Sequence, residues 1–394
     1  MQKLDLRLTI VGEVFISPDG NDTVDRSFNA ILKAYRSFVT SLHYVGPSPC
    51  EALLSAHHSA HLDTFFTTIP EYNKSLRGRI SGFLQREKIS QRILSLCSQL
   101  ETNLIQVRLP AVLPLSLAPF LLQSSLPVSF YLSGNWYRSL CATYPYPLVS
   151  YLAKQLANYE RSLLLQAPVI TAGPALAREL DLPEAIAYFS TTHETTTEVT
   201  RKRTGKRLLY VGRIEPQKRL EDLIDAVAIV QESFPDIHLT IVGEGETKSA
   251  LQQRAQDRGI SHLVTWRGRV DDSEQLDTIY SESDILVLPS LSEGSPKVLP
   301  EGMSYGVIPI GVRSAGSVPD IIAHNENGYL VDPCSPQEIA IAISNLLNSP
   351  HEQERLSQNA YAYAEKHTLS SEVHRVLSEL SSLNHHNVLS KTQN

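Results

Sequence analysis

The sequence predicts an α/β protein made of two doubly wound, Rossmann-like domains, and three observations lead to that class. Short apolar runs alternate with stretches of helical spacing along most of the chain. A polar, aperiodic stretch, "STTHETTTEVTRKRTGK" at 190–206, interrupts the alternation and reads as a linker. Charge divides unequally across it. Residues 1–200 carry 16 Lys and Arg against 16 Asp and Glu, whereas residues 201–394 carry 19 against 26, so the second part holds the whole net charge of −7. At 394 residues the chain exceeds one ordinary core, because domains average ~150 residues. The reading is a first domain over 1–200, a second over 201–367, and a C-terminal helix and tail over 368–394 that packs back on the first.

The second domain is the more regular. "RLLYVG" (207–212), "HLTIVG" (238–243), "LVTWRG" (263–268), "DILVLP" (284–289), "VIPIGV" (307–312) and "GYLVD" (328–332) are strands by their apolar runs. Helical spacing covers 219–234, 246–258, 272–281, a short piece from Pro319, and 336–347. Strand and helix alternating through short connections make a parallel sheet covered on both faces, which is why the strands read as unbroken apolar runs. The first domain alternates less cleanly. Strands are expected near 6–14, 42–46, 62–68, 104–108, 128–133 and 168–172, and helices near 24–41, 74–98, 114–124 and 147–165. Ligands in such sheets bind beyond the carboxyl ends of the strands, and two facing sheets put those ends across a central cleft.

Composition narrows the function. The acidic balance argues against a nucleic-acid partner. Cys50, Cys97, Cys141 and Cys334 are scattered without a CxxC, which suits reduced thiols in a cytoplasm. The N-terminus opens directly on a strand pattern, without the apolar region and cleavage site of a signal peptide. The most apolar region, 109–132, holds four prolines and a polar break, and reads as loop, helix and strand rather than as a span. His57 and His61 would share a helical face, but no third ligand lies near them in sequence, and no metal site is expected.

Three loops at strand ends carry chemistry. After 207–212 come Arg213 and Lys218; Arg offers a fork for phosphate oxygens and Lys a mobile point charge. "VGEGET" at 242–247 is Gly-rich, although Gly243 and Gly245 also suit a plain turn. "SLSEGSPKVLPEGMSYG" at 290–306 places Glu293 and Glu301 eight positions apart around Gly294, Ser295, Pro296 and Lys297. Ser295 and Pro296 fit a helix start, with Ser capping and Pro at the first position. Pro300 counts against a regular first turn, so the helix is either distorted there or begins later. Lys297 is misplaced beside the positive end of a helix unless an anion is present.

"GRIEPQK", "IVGEGE", "DILVLPSLSEGSPKVLPEGMSYGVIPI", "AGSVPDII" and "NGYLVD" together resemble the retaining nucleotide-sugar glycosyltransferases of the GT-B fold, the group called family four. The resemblance covers ~207–367 by motif and the first half by architecture alone, and the E-x7-E pair is its most specific mark. It implies that Arg213 and Lys218 hold a donor diphosphate, that Glu301 accepts from ribose hydroxyls, and that Glu293 faces the transferred sugar. Gly294, Ser295, Pro296, Lys297 and Val298 would lie near sugar and phosphates; Gly243 would belong to the same donor side. Gly268, Arg269 and Val270 would border the base. The substrates would be a nucleotide-diphosphate sugar and a hydroxyl acceptor, with no metal or other cofactor.

The first half departs from the family pattern. One glycine, Gly20, stands where a twin-glycine loop is usual, and Ser133, Gly134 and Asn135 stand where a histidine is usual. Ser133, Asn135 and Trp136 are the acceptor-side candidates. Two rival readings stay open: a glycosyltransferase-like subunit that binds nucleotide and regulates a partner, and a sugar-nucleotide epimerase or phosphorylase on the same fold. Finally, "KSLRGRISGFLQREKISQR" at 74–92 carries six Lys and Arg against one Glu, with Leu76, Ile80, Phe83 and Leu84 on one helical face. Such a stretch is either a solvated basic helix or a peripheral contact with the inner face of an anionic membrane.

Overall fold

The computed structural model describes residues 3–14, 16, 23, 26–47, 57–59, 63–69, 76–144, 146–194 and 204–391. The chain divides into two compact units, one of residues 1–188 and 369–394, the other of residues 189–368. The division falls before the polar stretch rather than at 200, because residues 189–194 pack with the second unit.

The first unit runs β1 (Leu4–Val11), α1 (Arg26–Phe38), β2 (Val39–Pro47), β3 (His57–Ser59), β4 (Thr64–Ile69), α2 (Leu76–Leu84), α3 (Arg86–Gln99), β5 (Leu104–Leu109), α4 (Val112–Leu122), β6 (Val128–Leu132), α5 (Trp136–Thr143), α6 (Pro147–Leu164), β7 (Val169–Ala172), α7 (Pro174–Glu179) and β8 (Ile186–Tyr188). Among the described residues its sheet has the order β3-β4-β2-β1-β5-β6-β7-β8, parallel throughout except for β3. The expected helix at 74–98 is two helices that part at Gln85. His57 lies on a strand, so it and His61 do not form a helical pair; the side chains of His57 and His58 and all of His61 lie outside the described residues.

The second unit runs β9 (Arg207–Val211), α8 (Leu220–Val230), β10 (His238–Val242), α9 (Lys248–Asp257), β11 (Val264–Gly268), α10 (Ser273–Glu282), β12 (Ile285–Leu288), α11 (Val298–Met303), β13 (Ile308–Val312), α12 (Val318–Ile321), β14 (Tyr329–Val331), α13 (Pro336–Asn348) and α14 (Pro350–Lys366). Its sheet is parallel, in the order β11-β10-β9-β12-β13-β14. Strand direction of travel therefore reverses between β9 and β12, and in the first sheet between β1 and β5. Those are the topological switch points, where a doubly wound sheet opens a crevice at its carboxyl edge.

Helix α15 (Leu369–Lys391) returns to the first unit. Leu369, Val373, Val376, Leu377 and Leu380 are each no more than 1% exposed and join Leu8, Leu32, Tyr35 and Phe38 in one core. At ~1.5–3 kcal/mol per buried side chain, these five contribute roughly 8–15 kcal/mol, comparable with a whole domain's net stability. A chain stopped after Thr368 should lose the cooperative unfolding transition of the first unit while keeping that of the second; calorimetry showing two intact transitions would contradict this packing argument.

Candidate donor site

The loops after β9 and β12 meet across the switch point of the second sheet. Leu291 N–H donates to Gln217 O at 3.0 Å, which ties the two loops by their backbones. Beside that tie, Lys218 Nζ donates to Glu293 Oε1 at 2.7 Å, with both side chains almost out of solvent at 13% and 11% exposure. A pair that far from water keeps much of its mutual attraction, and either partner left alone would be costly. Arg213, in the same loop, differs: its side chain is 71% exposed, and its contact with Glu215 Oε1 at 2.6 Å is an ordinary surface pair.

The backbone under this pair is crowded. Gly316, with φ of 56°, turns the loop after β13 so closely onto Glu293 that a Cβ would stand 1.7 Å from the Glu293 carbonyl oxygen. Gly243, with φ of 143°, comes equally close to Gly212 O. Gly243 N–H also donates to Gly268 O at 2.8 Å, so its first task is to join the ends of β10 and β11. Gly294, by contrast, opens onto free space.

The helix after this loop starts later than Ser295. Its first residue is Val298, its N-cap is Lys297, and Ser295 caps nothing; the Ser295 hydroxyl instead accepts from Ser190 N–H at 2.9 Å. Pro300 is accommodated because it sits in the first turn, where a backbone N–H has no partner in the helix. The helix is only six residues long, so its dipole is a small resource. Lys297 has no carboxylate partner among the described residues. Pro296 is buried, and Val298 packs partly against the core. Arg269, just past β11, is exposed and pairs with Asp271 Oδ1 at 2.7 Å, while Val270 packs partly inward.

Glu301 lies one turn into α11 in a cavity of about 320 Å³, lined by Thr192, His193, Asp277, Tyr280 and Tyr305 among others. One carboxylate oxygen accepts from the Thr192 hydroxyl and the other from the Tyr280 hydroxyl at 3.2 Å. Tyr280 is fully buried, and burial together with the adjacent Glu301 charge pushes its phenol well above the ordinary range. It stacks on Tyr305 with ring centroids 5.9 Å apart. His193 Nε2 faces the Ala364 carbonyl at 2.9 Å, which can only accept, so that nitrogen carries the proton. Nδ1 is then left to accept from the Thr191 hydroxyl, and burial lowers the ring's pKa. Thr192, His193 and Tyr280 were not expected from sequence. The first two lie in an aperiodic polar stretch, and Tyr280 reads as one more buried helix residue.

The structure brings Lys218 to Glu293 but leaves Glu301 in a separate lining. The acceptor-side candidates all belong to the first unit, and those the structure describes have separate local partners. Gly20 lies outside the described residues. The Ser133 hydroxyl donates to Leu109 O at 3.1 Å, and Asn135 caps α5 by accepting from Tyr137 N–H at 2.8 Å. Trp136 lines an apolar groove instead. A residue that sequence reasoning passed over, Arg108 at the end of β5, lies at the first sheet's switch point, with its guanidinium 4.0 Å from the Tyr131 ring centroid and 4.6 Å from that of Phe28.

Residues 193–363 match the family model described as "Glycosyl transferases group 1". An uncharacterized glycosyltransferase of Methanocaldococcus jannaschii is 33% identical over 155 residues, 39% of this chain and 39% of that protein. The D-inositol 3-phosphate glycosyltransferase of Corynebacterium glutamicum is 28% identical over 190 residues, 45% of each. The chain thus spans less than half the length of these curated relatives. Among solved structures, Anabaena HepE in complex with UDP matches with a TM-score of 0.69 at 16% identity, over 96% of this chain and 100% of that one. Sucrose-phosphate synthase from Thermosynechococcus elongatus matches with a TM-score of 0.69 at 17% identity, over 96% and 99%. The chain has the GT-B architecture, two doubly wound α/β domains, and its second unit carries a stretch similar to the group 1 glycosyl transferases.

Proposed function

We propose that the chain is a retaining glycosyltransferase that moves a sugar from a nucleotide-diphosphate sugar to a hydroxyl acceptor. The observation that carries this reading is the Lys218–Glu293 pair at a switch point, in a loop that also bears the exposed Arg213, with Lys297 four residues beyond Glu293 and without a carboxylate partner among the described residues. Cations on the two loops of a crevice suit a diphosphate, whose negative charge grows as it leaves. In the proposed reaction the bond from the anomeric carbon to the phosphate oxygen breaks and a bond to the acceptor oxygen forms on the same face. The acceptor's proton passes to the departing diphosphate. Glu293, held by Lys218, faces the transferred ring. Glu301 takes the ribose hydroxyls in place of Thr192, and the backbone from Gly268 to Val270 borders the base. The glycosyltransferase activity of the Corynebacterium glutamicum relative and the UDP bound by HepE support the class of donor.

Two measurements test this reading together. In a thermal-shift panel of UDP, GDP, ADP and their sugars, one nucleoside diphosphate should raise the melting temperature, since a ligand at ~100 times its Kd adds about 2.7 kcal/mol. Transfer with the matching sugar donor should need an acceptor and should survive EDTA, because the protein's own cations carry the leaving-group charge. Sugar-nucleotide turnover without an acceptor, or rescue of an EDTA-inactivated enzyme by Mn²⁺, would overturn the mechanism. Nucleotide binding with no transfer until a partner is added would favour a regulatory subunit.

A further inference from the structure

The first unit has an apolar face that no other described part of the chain covers. On α2, Ile80, Phe83 and Leu84 fall on one side, and that side points to solvent rather than into the core. On α6, Leu148, Tyr151, Leu152 and Tyr159 make a second stripe. All seven side chains are between 45% and 72% exposed, far more than scattered surface residues require.

Between these helices lies an open groove of about 450 Å³, the size of a small-molecule site. It is lined mainly by Phe83, Val112, Leu115, Phe120, Trp136 and Tyr159, with Arg86 at its rim. The Trp136 indole Nε1 is buried there beside the Glu160 carboxyl. Glu160, next to Tyr159, is buried too, and burial raises its carboxyl to about 7, with the Trp136 indole working against the rise, so near neutrality it is only partly ionised.

The charges at the rim indicate what the groove accepts. Arg86 lies over the Phe83 ring at 4.5 Å and gives one N–H to Phe83 O, and it has no carboxylate partner among the described residues. The same holds for the exposed Lys88 on α3 and Lys154 on α6, while Glu87 is the acid between the first two in sequence. Apolar stripes, tyrosines with exposed rings and unpaired cations are the composition of a surface that meets anionic headgroups.

We propose that this face docks on an anionic lipid bilayer, with one lipid's acyl chain entering the groove beside Trp136 and its headgroup meeting Arg86. Vesicle sedimentation with the full chain tests it. Binding should appear with phosphatidylglycerol-containing vesicles, not with phosphatidylcholine alone, and should fall as salt rises. Leu148→Glu and Arg86→Glu, both at the surface, should each lower it by ~5- to 10-fold. The chain has two tryptophans, so Trp266→Phe leaves Trp136 as sole reporter. Lipids brominated on the acyl chain should then quench its fluorescence. Sedimentation without quenching overturns chain entry into the groove. Absence of sedimentation overturns the surface itself, as does concentration-dependent dimerisation that Leu148→Glu abolishes without any vesicle binding. The groove and the nucleotide loops lie in different units, so failure of either proposal leaves the other standing.

Discussion

Lys218→Ala is expected to lower transfer at least ~100-fold, because the variant loses a charge-assisted contact that strengthens as the diphosphate departs. It should also cost stability, since Glu293 would remain largely buried with no cation beside it; breaking a buried pair from one side costs about 3–5 kcal/mol. Those two losses can be separated. In the double variant Lys218→Met/Glu293→Gln no charge is left unpaired, so the melting temperature should recover most of the way while transfer stays low. Steady-state kinetics beside calorimetry on both proteins decides the matter. Recovery of activity along with stability would mean that the pair only holds the loops together.

The two glutamates should separate just as sharply. Glu301→Gln keeps the shape and the acceptor for Tyr280 but loses the charge, and a hydrogen bond to a charged group contributes ~1.5–3 kcal/mol, or roughly 10- to 100-fold in binding. The free nucleoside diphosphate and the intact donor should weaken alike, and a 2′,3′-dideoxy nucleoside diphosphate should bind the variant and the parent equally. Glu293→Gln should act in the opposite sense on the nucleotide. It releases Lys218 from its partner, so nucleoside diphosphate affinity should hold or rise while kcat falls. Titration calorimetry that finds equal weakening in both variants would assign both acids to the nucleotide, or to the shape of the loop.

What was legible in the sequence follows from which forces are local. The second sheet could be read because a parallel strand covered on both faces must be apolar along its length, as "DILVLP" and "VIPIGV" are. The first sheet blurred where elements are short: three-residue β3 and β8 and six-residue α7 offer too few side chains to show a period. The loops holding Arg213, Lys218, Glu293 and Glu301 could be found because strand ends are marked locally. Their pairing could not be read. Ser295 was expected to cap a helix, but its oxygen is taken by the N–H of Ser190, 105 positions away, and no spacing rule reaches that far. Thr192 and His193 were read as linker for the same reason: polar residues without a period look alike whether they are solvated or pinned to Glu301 and Ala364.

The return of α15 to the first unit has a meaning on the ribosome. The first 188 residues emerge with their inner face incomplete, because the side chains from Leu369 to Leu380 that close it have not been made. The second unit, uninterrupted from Phe189 to Thr368, has all its strands in hand beforehand. Synthesis order and completion order are thus inverted. The later half can settle first, and the earlier half waits with Tyr35, Phe38 and Leu8 uncovered until almost the last stretch of chain arrives. During that interval the exposed core is the part of the nascent protein most in need of a chaperone.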